Sequence, residues 1–526
     1  MQTVKGEGCI DYSGSENLAS QQGYNTHTRE TLLVLERGLA ETSPIKMRRQ
    51  GNNRESDYCI VPMRGMKMSG GKAATGNRPN QRNISHTRGG KQMATELTRI
   101  AELVRNKPEY RLQTLVHLIN KESLIESHKR MEKNKATGID QVTKEEYDKN
   151  LESNVEGLIE RMKRQAFKPM PARRVYIPKV ASDSLRPLGI PAYEDKLVQD
   201  VMKQILEVIY EPIFLEMSYG FRPGRNQHQA IKALNDKIVC TKTRYIVDAD
   251  IKGFFENVDH EWMMKCLEVR IADPNFLRLI KRFLKSGIME EGKYYHTDKG
   301  TPQGGVISPI LANIYLHYVL DLWFEKVVKK ESTGDASMIR YADDFVCCFQ
   351  HKHEAEKFLS SLKERLKKFG LEVAEEKTKI IEFGRFARED RQKRGEGPPN
   401  KFDFLGFTHI CARTQNGSFT VKKITSKKKA KAKKSEISEW LRKNMHQPVK
   451  TLIDEINSKL SGHYRYYGIT GNYVQLNKFR HYIIKRLFWT LNRRSQRRSY
   501  TWEDFNDRIL RKMPVKAPKI FVKMYS

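Results

Sequence analysis

The sequence predicts an α+β fold in its middle part, followed by an all-α region at its C-terminal end. Between residues 170 and 410, short runs rich in Val, Ile, Tyr and Phe alternate with segments whose apolar residues recur at helical spacing. From residue 420 onwards the helical spacing continues, and lysine and arginine occupy many of the remaining positions. Two of the strand-like runs end in aspartates, which makes those strand ends the first candidates for a functional site.

The charge of the chain points to a polyanionic partner. It carries 96 lysine and arginine residues against 63 aspartate and glutamate residues, a formal net charge of +33 over 526 residues. Nucleic acid is the polyanion that a protein this basic usually binds. The alternative, a ribosomal or other RNA-packing protein, rarely requires so long a chain. With 38% apolar residues, the chain has enough material for the cores of several domains.

Cysteine usage and the lack of long apolar runs predict a cytoplasmic protein. The seven cysteines are scattered, at positions 9, 59, 240, 266, 347, 348 and 411, and none belongs to a C-x-x-C pair. This predicts neither a zinc site nor a disulfide framework, and it fits a reducing compartment such as the bacterial cytoplasm. No run approaches the roughly 18 apolar residues of a membrane span, so we expect no membrane partner. The N-terminal segment also lacks the apolar stretch of a signal peptide.

The first part of the chain differs from the rest in composition. Residues 1–92 have little apolar periodicity, and MSGGKAATGNRPNQRNISHTRGGK, residues 68–91, is typical of a flexible linker. Helical spacing begins near Met93, and we predict one mixed unit over residues 93–410. A helical unit over 411–490 and a short basic unit over 491–526 complete the predicted organisation.

Residues 338–350, MIRYADDFVCCFQ, place two adjacent carboxylates, Asp343 and Asp344, between two strand-forming runs. Both faces of these runs are apolar, which predicts a buried hairpin with the acidic pair at its bend. Like charges repel and burial raises carboxylate pKa values, so one or two bound cations would explain the pair. The alternative is an ordinary surface turn, because aspartate is common in turns.

A second stretch, RYIVDADIKGFFENVDH over residues 244–260, favours the cation site. A strand from Tyr245 to Val247 leads into carboxylates, and Asp250 lies at its end. Three carboxylates from two strand ends can hold two divalent cations about 4 Å apart, one activating an attacking hydroxyl and the other stabilising a leaving phosphate oxygen. Asp248 points to the same side as Asp250, and we interpret it as structural.

At these residues the sequence resembles a known family. The Tyr-Ala-Asp-Asp box at 341–344 resembles that of reverse transcriptases, and the boxes around it are similar to those of group II intron-encoded proteins, which join a reverse transcriptase to a maturase domain. The resemblance covers residues 120–525. The boxes are NKATGIDQVT (134–143), RRVYIPK (173–179), LRPLGIP (185–191), SYGFRPGRNQHQAI (218–231), GTPQGGVISPILANIYLH (300–317), EEKTKIIEFG (375–384) and FDFLGFTH (402–409). The intact Q-G-x-x-x-S-P pattern at 303–309 favours the intron type over diversity-generating reverse transcriptases.

The resemblance implies a right-hand polymerase, with fingers and palm around an antiparallel sheet, followed by a helical thumb. It implies that Asp250, Asp343 and Asp344 are the catalytic residues and hold two Mg²⁺ ions, with Asp344 the more peripheral of the three. In this interpretation the primer 3′-hydroxyl attacks the α-phosphate of an incoming deoxynucleoside triphosphate.

The resemblance assigns four other residues to the incoming nucleotide. Lys179 and Arg186 would contact its triphosphate, whose roughly four negative charges require fixed cations. Phe255 would pack under the sugar, where a ring excludes a 2′-hydroxyl. Gln303 lies in a glycine-rich loop that lets the backbone approach the nascent base pair. Each assignment competes with an ordinary role, as a solvated polar group or a core phenylalanine.

Two further pairs of basic residues have two interpretations each. Lys377 or Lys379 donates a proton to the leaving pyrophosphate, or both are merely solvated. Arg222 and Arg225 contact template phosphates, or they form structural pairs. The sequence does not decide between these alternatives.

The C-terminal region combines charge with helical apolar stripes. VKKITSKKKAKAKK, residues 421–434, carries eight lysines, and three helices in series after it resemble the thumb, or X domain, of the family. GHYRYYG at 462–468 suits RNA stacking and phosphate contact, or else it is a packed helix end. Phe404 and Phe407 grip the primer or belong to the core. RRSQRR at 493–498 resembles the family's short DNA-binding region.

Together these features predict an RNA-directed DNA polymerase and maturase. The implied partners are the parent group II intron RNA, a DNA target and primer, and deoxynucleoside triphosphates, and the implied cycle is splicing followed by retrohoming. Two alternatives stay open: an RNA-binding splicing factor with a vestigial polymerase, and a host-adapted reverse transcriptase detached from any intron. The zinc motifs of an H-N-H endonuclease are not found before Ser526, so we expect no cleavage of the second DNA strand.

Overall fold

The computed structural model describes residues 88–107, 109–178, 185–301, 303–494 and 500–524. What the sequence predicts for residues 1–87, and for part of the basic segment at 493–498, lies outside these ranges. The described ranges combine helices with sheets that are largely antiparallel, so the predicted α+β fold is confirmed. No described helix is both long and apolar enough to cross a membrane.

The described part of the chain begins with five helices. They are α1 (Arg88–Asn106), α2 (Lys121–Arg130), α3 (Lys144–Asp148), α4 (Leu151–Lys163) and α5 (Tyr193–Tyr210), and both α1 and α2 pack on α5. Asn120 and Thr143 precede α2 and α3 in capping boxes, which satisfy free backbone amides at both helix starts. Helix α5 buries Leu197, Val201 and Ile205 completely.

The described ranges contain three sheets. The strands in chain order are β1 (Ala172–Pro178), β2 (Leu185–Ile190), β3 (Tyr245–Ala249), β4 (Ile288–Glu290), β5 (Lys293–Tyr295), β6 (Ala336–Tyr341), β7 (Asp344–Phe349), β8 (Lys379–Glu382), β9 (Phe402–Phe404), β10 (Phe407–Arg413) and β11 (Phe419–Thr425). The outer sheet has the order β2-β1-β4-β5, the central sheet β6-β7-β3-β8 and the small sheet β11-β10-β9. β1 and β4 run parallel, whereas the other paired strands are antiparallel.

Helices α6 (Gln227–Cys240) and α12 (Lys352–Lys368) pack on strands of the central sheet. The other helices of this part are α7 (Phe254–Asn257), α8 (His260–Glu268), α9 (Pro274–Leu284), α10 (Ser308–Leu316), α11 (Lys329–Glu331) and α13 (Ala387–Lys393). Val247, Cys347 and Phe349 belong to the large core, whereas Ile246 and Val346 belong to a second core shared with α6 and the small sheet. Because both faces of the central sheet are buried, its strands read as continuous apolar runs.

The C-terminal part is helical, as the sequence predicts. It consists of α14 (Lys427–Lys443), α15 (Val449–Tyr467), α16 (Tyr473–Asn492) and the short α17 (Trp502–Asp504). Its own core contains Leu441, Ile456, Ile483 and Leu487, all fully buried. Strand β10 runs across the domain boundary predicted at residue 410, and β11 continues the small sheet to the residue before the N-cap of α14.

Candidate active site

Asp343 and Asp344 lie at the bend of the hairpin formed by β6 and β7. Tyr341 pairs with Asp344, which leaves Ala342 and Asp343 as the two turn residues. Ala342 has a φ of 59°, in the left-handed region that tight two-residue hairpin turns use. Gly220 packs directly against this turn, where a Cβ would come within 2.2 Å of the Ala342 nitrogen. Any side chain at 220 would therefore displace the turn.

Asp250 follows β3 and lies beside the hairpin. Ala249 pairs with Phe345 in the antiparallel ladder, so the continued register places Asp250 opposite Asp344. Burial, together with the Asp343 and Asp250 carboxylates, raises the pKa of Asp344 to about 6. Burial also raises the pKa of Asp343, and Asp250 adds to that shift. The three carboxylates therefore repel one another, although Asp344 itself is exposed to solvent.

The donor chemistry of this group fits a divalent cation. Hard cations prefer oxygen ligands such as carboxylates. A bound cation would also offset the repulsion between the three negative charges. Within the described ranges no three Asp, Glu, His or Cys side chains form a complete metal site. A small cation such as Mg²⁺ commonly uses one or two carboxylates and takes its other ligands from water and substrate phosphates, so these residues fit a site that substrate completes.

Lys377 contacts the first of these carboxylates. Its Nζ donates a hydrogen bond to Oδ2 of Asp250 at 2.5 Å, and this bond raises the pKa of Lys377. Lys379, the other lysine singled out from the sequence, instead pairs across the ladder with Asp248. The structure thus separates two lysines that the sequence treats as equivalent.

Asp248 interacts electrostatically with Asp250 and Asp344, which the sequence does not indicate. Burial, with contributions from Asp344 and Asp250, raises the pKa of Asp248 to about 7. The neighbouring Lys379 acts in the opposite direction and lowers that pKa. A fourth carboxylate therefore lies at the edge of the group, and its structural role stays a prediction.

A buried arginine that was not among the predicted site residues supports the turn that carries Asp343. Arg340 is fully buried, and its guanidinium donates to both carboxylate oxygens of Asp321, at 2.7 and 2.5 Å. It also donates to the Asn313 side chain and to the carbonyl of Ala342, both at 2.9 Å. Its signal in the sequence is a lone charge inside an apolar strand, MIRY. Arg340 thus connects the turn that carries Asp343 to the helical segment behind it.

A cavity is lined by the outer sheet, by α7 and by the loop before α10. Phe255 and Gln303 both line it, as does Arg174, which the sequence analysis did not single out. The amide of Gly189 donates to the Gln303 carbonyl at 2.5 Å. A Cβ at Gly304 would lie 2.7 Å from the Gly189 oxygen, so this glycine permits the close approach of strand β2 and the loop before α10.

Of the two basic residues assigned to the triphosphate, Arg186 lies within the described ranges and Lys179 does not. Arg186 is exposed, and its positive charge opposes the rise that burial causes in the pKa of Asp343. Lys179 lies outside the described residues, so its assignment stays a prediction. Phe254, next to Phe255, is buried in the large core, which agrees with its interpretation as packing.

The two arginines of the SYGFRPGRNQ box form structural pairs. Arg222 is buried, its guanidinium lies 2.7 Å from Glu211, and it donates to backbone carbonyls nearby. Arg225 pairs with Glu216 at 2.9 Å and lies over the ring of Tyr219. Of the two interpretations the sequence left open, pairing therefore describes both residues.

The aromatic residues of the small sheet and of α15 pack together. Phe404 and Phe407 are buried, and Tyr466 stacks on Phe407 with ring centres 6.0 Å apart. The Tyr466 hydroxyl donates to the carbonyl of Leu405 at 3.0 Å. GHYRYYG is therefore a packed helix end, from which Arg465 is exposed to solvent.

The lysine run is divided by its secondary structure. Lys423, on β11, is fully buried and donates to the Asn235 side chain at 2.7 Å, and burial lowers its pKa to about 8. Lys427, Lys428 and Lys429, at the start of α14, are exposed. Only the helical part of the run therefore presents exposed charge in a continuous series.

The mixed α+β body with a paired-strand carboxylate group, followed by basic helices, defines a class of protein: a reverse transcriptase domain joined to a maturase domain. Residues 177–409 match the family described as reverse transcriptase (RNA-dependent DNA polymerase). Residues 430–507 match the group II intron, maturase-specific domain. The chain therefore belongs to the group II intron-encoded reverse transcriptase and maturase family.

Similarity to curated proteins agrees with this family. The group II intron-encoded protein LtrA of Lactococcus lactis is 32% identical, with 62% of this chain and 65% of LtrA aligned. Protein YkfC of Escherichia coli is 35% identical, with 47% of this chain and 73% of that protein aligned. An uncharacterized 91 kDa protein in the cob intron of Schizosaccharomyces pombe is 40% identical over 33% of this chain and 21% of its own length. The chain thus spans just under two thirds of the length of LtrA.

Proposed function

We propose that this protein is an RNA-directed DNA polymerase that also acts as the maturase of a group II intron. The observation that carries the proposal is the convergence of Asp250, Asp343 and Asp344 at the ends of β3 and of the hairpin. The succession of the two matching families along the chain supports the combination of the two activities.

In this proposal the parts of the fold correspond to a right hand. The outer sheet with the N-terminal helices forms the fingers, the central sheet forms the palm, and α14, α15 and α16 form the thumb. Lys429 on α14 opposes the rise in the pKa of Asp344, which supports a thumb that faces the palm. The template–primer duplex would occupy the cleft between them.

Asp250, Asp343 and Asp344 are the residues that would hold Mg²⁺, which when bound activates the primer hydroxyl and stabilises charge on the phosphates. Arg186, with Lys179, would attract and orient the triphosphate. The ring of Phe255 would close the space that a ribose 2′-hydroxyl needs. The loop of Gln303 and Gly304 would let the backbone reach the nascent base pair.

The proposed partners follow from charge and family. A net charge of +33 favours long polyanions, and the family points to the parent intron RNA, the DNA target and primer, and deoxynucleoside triphosphates. As a maturase the protein would stabilise the folded intron for splicing. In retrohoming it would copy the inserted intron RNA into DNA.

Primer extension along an RNA template tests this function. Wild-type protein should extend a DNA primer with Mg²⁺, whereas Asp343→Asn should lose on the order of 100-fold or more, because a charged ligand becomes neutral. Binding of intron RNA by the variant should persist, since it uses other surfaces. Extension by Asp343→Asn within about tenfold of wild type would contradict the site. Wild-type protein that promotes splicing but extends nothing would instead be an RNA-binding splicing factor.

A further inference from the structure

A second cavity is lined by α3, α4, the first turn of α5 and the segment before β1. It has a volume of about 400 Å³, which is within the range of small-molecule sites. Its acidic lining residues are Asp140, Glu146, Glu194 and Asp195, and its cationic lining residues are Arg161 and Lys168. In a chain with a net charge of +33, an excess of carboxylates around one cavity points to a cationic occupant.

Two of these carboxylates each keep one oxygen without a hydrogen-bond partner among the described residues. Oδ2 of Asp140 accepts from the Tyr193 amide at 2.7 Å, whereas its buried Oδ1 accepts nothing. Oδ2 of Asp195 accepts from the Met170 amide at 2.9 Å, and that is the single hydrogen bond of this carboxylate within the described ranges. Asp195 is only 2% exposed, yet it lines the cavity. A buried oxygen without a donor is costly unless a ligand supplies one.

Neighbouring basic residues leave the charge of Asp195 poorly compensated. Arg161 donates to both carboxylate oxygens of Glu194 at 2.8 Å, so its guanidinium already has an anionic partner. Lys196 interacts electrostatically with Asp140, but its ammonium group donates to a backbone carbonyl at 2.7 Å. Burial, with contributions from Glu194 and Asp140, raises the pKa of Asp195 to about 7. A carboxylate in such surroundings gains more from a bound cation than one in water does.

Aromatic rings form another part of the wall. Tyr147, Phe167 and Tyr193 line the cavity, and the ring centres of Tyr147 and Tyr193 are 4.8 Å apart. Rings beside carboxylates suit an organic ammonium ion, because the ring faces attract the cation and cover its methylene groups. A metal ion such as Mg²⁺ takes oxygen ligands and keeps several waters, so it would gain nothing from these rings.

We propose that this cavity binds a primary alkylammonium ion, such as one end of a diamine or polyamine, with its charge against Asp195 and its methylene chain against the rings of Tyr147 and Phe167. An ammonium group has three donors, which is enough to reach the free oxygen of Asp195 and a second acceptor in the lining. None of the lining residues belongs to the catalytic carboxylate group. The bound ion would connect α3 and α4 to the start of α5.

Calorimetric titration of the full-length protein, freed of nucleic acid, with putrescine tests this site. At pH 8 the Asp195 carboxyl group is ionised, and non-specific binding is weak because protein and probe are both positively charged. We expect wild-type protein to bind one putrescine per chain. In Asp195→Asn the side-chain oxygen can still accept from the Met170 amide but carries no charge, so the affinity should fall by about tenfold or more.

Matched variants separate the cavity from general charge. Asp200, also on α5, pairs with Arg130 at 2.8 Å and is not part of the lining. Asp200→Asn removes the same charge as Asp195→Asn and should leave the putrescine affinity within about twofold of wild type, because salt screens exposed charges. Tyr147→Leu removes a ring and should weaken binding by about three- to tenfold. Melting temperatures confirm folding, and putrescine should raise them in wild type and Asp200→Asn but not in Asp195→Asn.

Several outcomes overturn the proposed site. They are the absence of putrescine binding to wild type at millimolar concentrations, normal binding by folded Asp195→Asn, and an equal loss in Asp200→Asn. Mg²⁺ that displaces putrescine at equal concentration would assign the carboxylates to a metal ion instead. Methylguanidine that binds more tightly than n-butylamine would assign them to a guanidinium. The titration contains neither template nor nucleotide, so failure of primer extension leaves the ammonium site standing, and absence of putrescine binding leaves the polymerase standing.

Discussion

Nζ of Lys377 lies 2.5 Å from Oδ2 of Asp250, although the two residues are 127 positions apart in the chain. The ammonium group therefore compensates one of the three carboxylates that repel one another at the ends of β3 and the hairpin. Lys377 is otherwise exposed, with 63% of its side-chain surface accessible, so it can move away without opening the core. A cation that binds Asp250 must displace this lysine or share the carboxylate with it.

Removing Lys377 should therefore strengthen binding of a divalent cation. We expect Lys377→Met to bind Mn²⁺ about three- to tenfold more tightly than wild type, because a competing positive charge is lost. The measurement is electron paramagnetic resonance of free Mn²⁺ in the absence of nucleic acid. Lys379→Met is the matched control, since it removes the same charge beside Asp248. An equal gain in Mn²⁺ affinity in both variants would show a general charge effect. It would mean that the cation does not displace Lys377 from Asp250.

Arg340 should affect stability and catalysis separately. Arg340→Met leaves the buried Asp321 without its partner, which should cost about 3–5 kcal/mol of stability. The double variant Arg340→Met/Asp321→Leu should regain most of that stability, because no buried charge remains. Its primer extension should stay low, since the Ala342 carbonyl has lost the donor that holds the turn. A double variant with both stability and activity restored would show that Arg340 does not position Asp343.

Phe255 should control the choice of sugar. Phe255→Val removes the ring that would meet a 2′-hydroxyl, so the ratio of kcat/KM for a deoxynucleotide over its ribonucleotide should fall by about 10-fold or more. Phe254→Leu is the matched control, because Phe254 is buried in the core and its loss should lower stability with little change in that ratio. A ratio that is unchanged in folded Phe255→Val would make the ring an ordinary packing residue.

The raised pKa of Asp248 predicts how stability depends on pH. Its pKa of about 7 lies above that of an unfolded aspartate, so wild-type protein without metal should lose stability as pH rises from about 4 to 7. Asp248→Asn carries no charge and lacks this loss. Its advantage over wild type should grow across that window and reach about 1–2 kcal/mol above pH 7, after allowance for solvent screening.

Melting temperatures in EDTA at pH 5 and pH 8 measure this difference. The exposed Asp454→Asn on α15 is the control for loss of one aspartate. An advantage of Asp248→Asn that is equal at both pH values would mean that Asp248 is not held among like charges.

The sequence by itself determined the α+β class, the helical C-terminal part and the chain order of the family's boxes. Periodicity carries this information, because strands buried on both faces and amphipathic helices leave repeating apolar patterns. It also predicted the hairpin with Asp343 and Asp344 at its bend. The register of β3 and β7 places Asp250 opposite Asp344. This agrees with the expectation that carboxylates from two strand ends lie together.

Only the tertiary structure decided which polar side chains meet. It placed Lys377 on Asp250 and Lys379 beside Asp248, and it buried Arg340 and Lys423 among polar partners from distant segments. Such contacts are not periodic in the chain, since each depends on the packing of elements far apart in sequence. The same reason explains the lysine run: once β11 and α14 were formed, Lys423 was buried while Lys427, Lys428 and Lys429 stayed exposed.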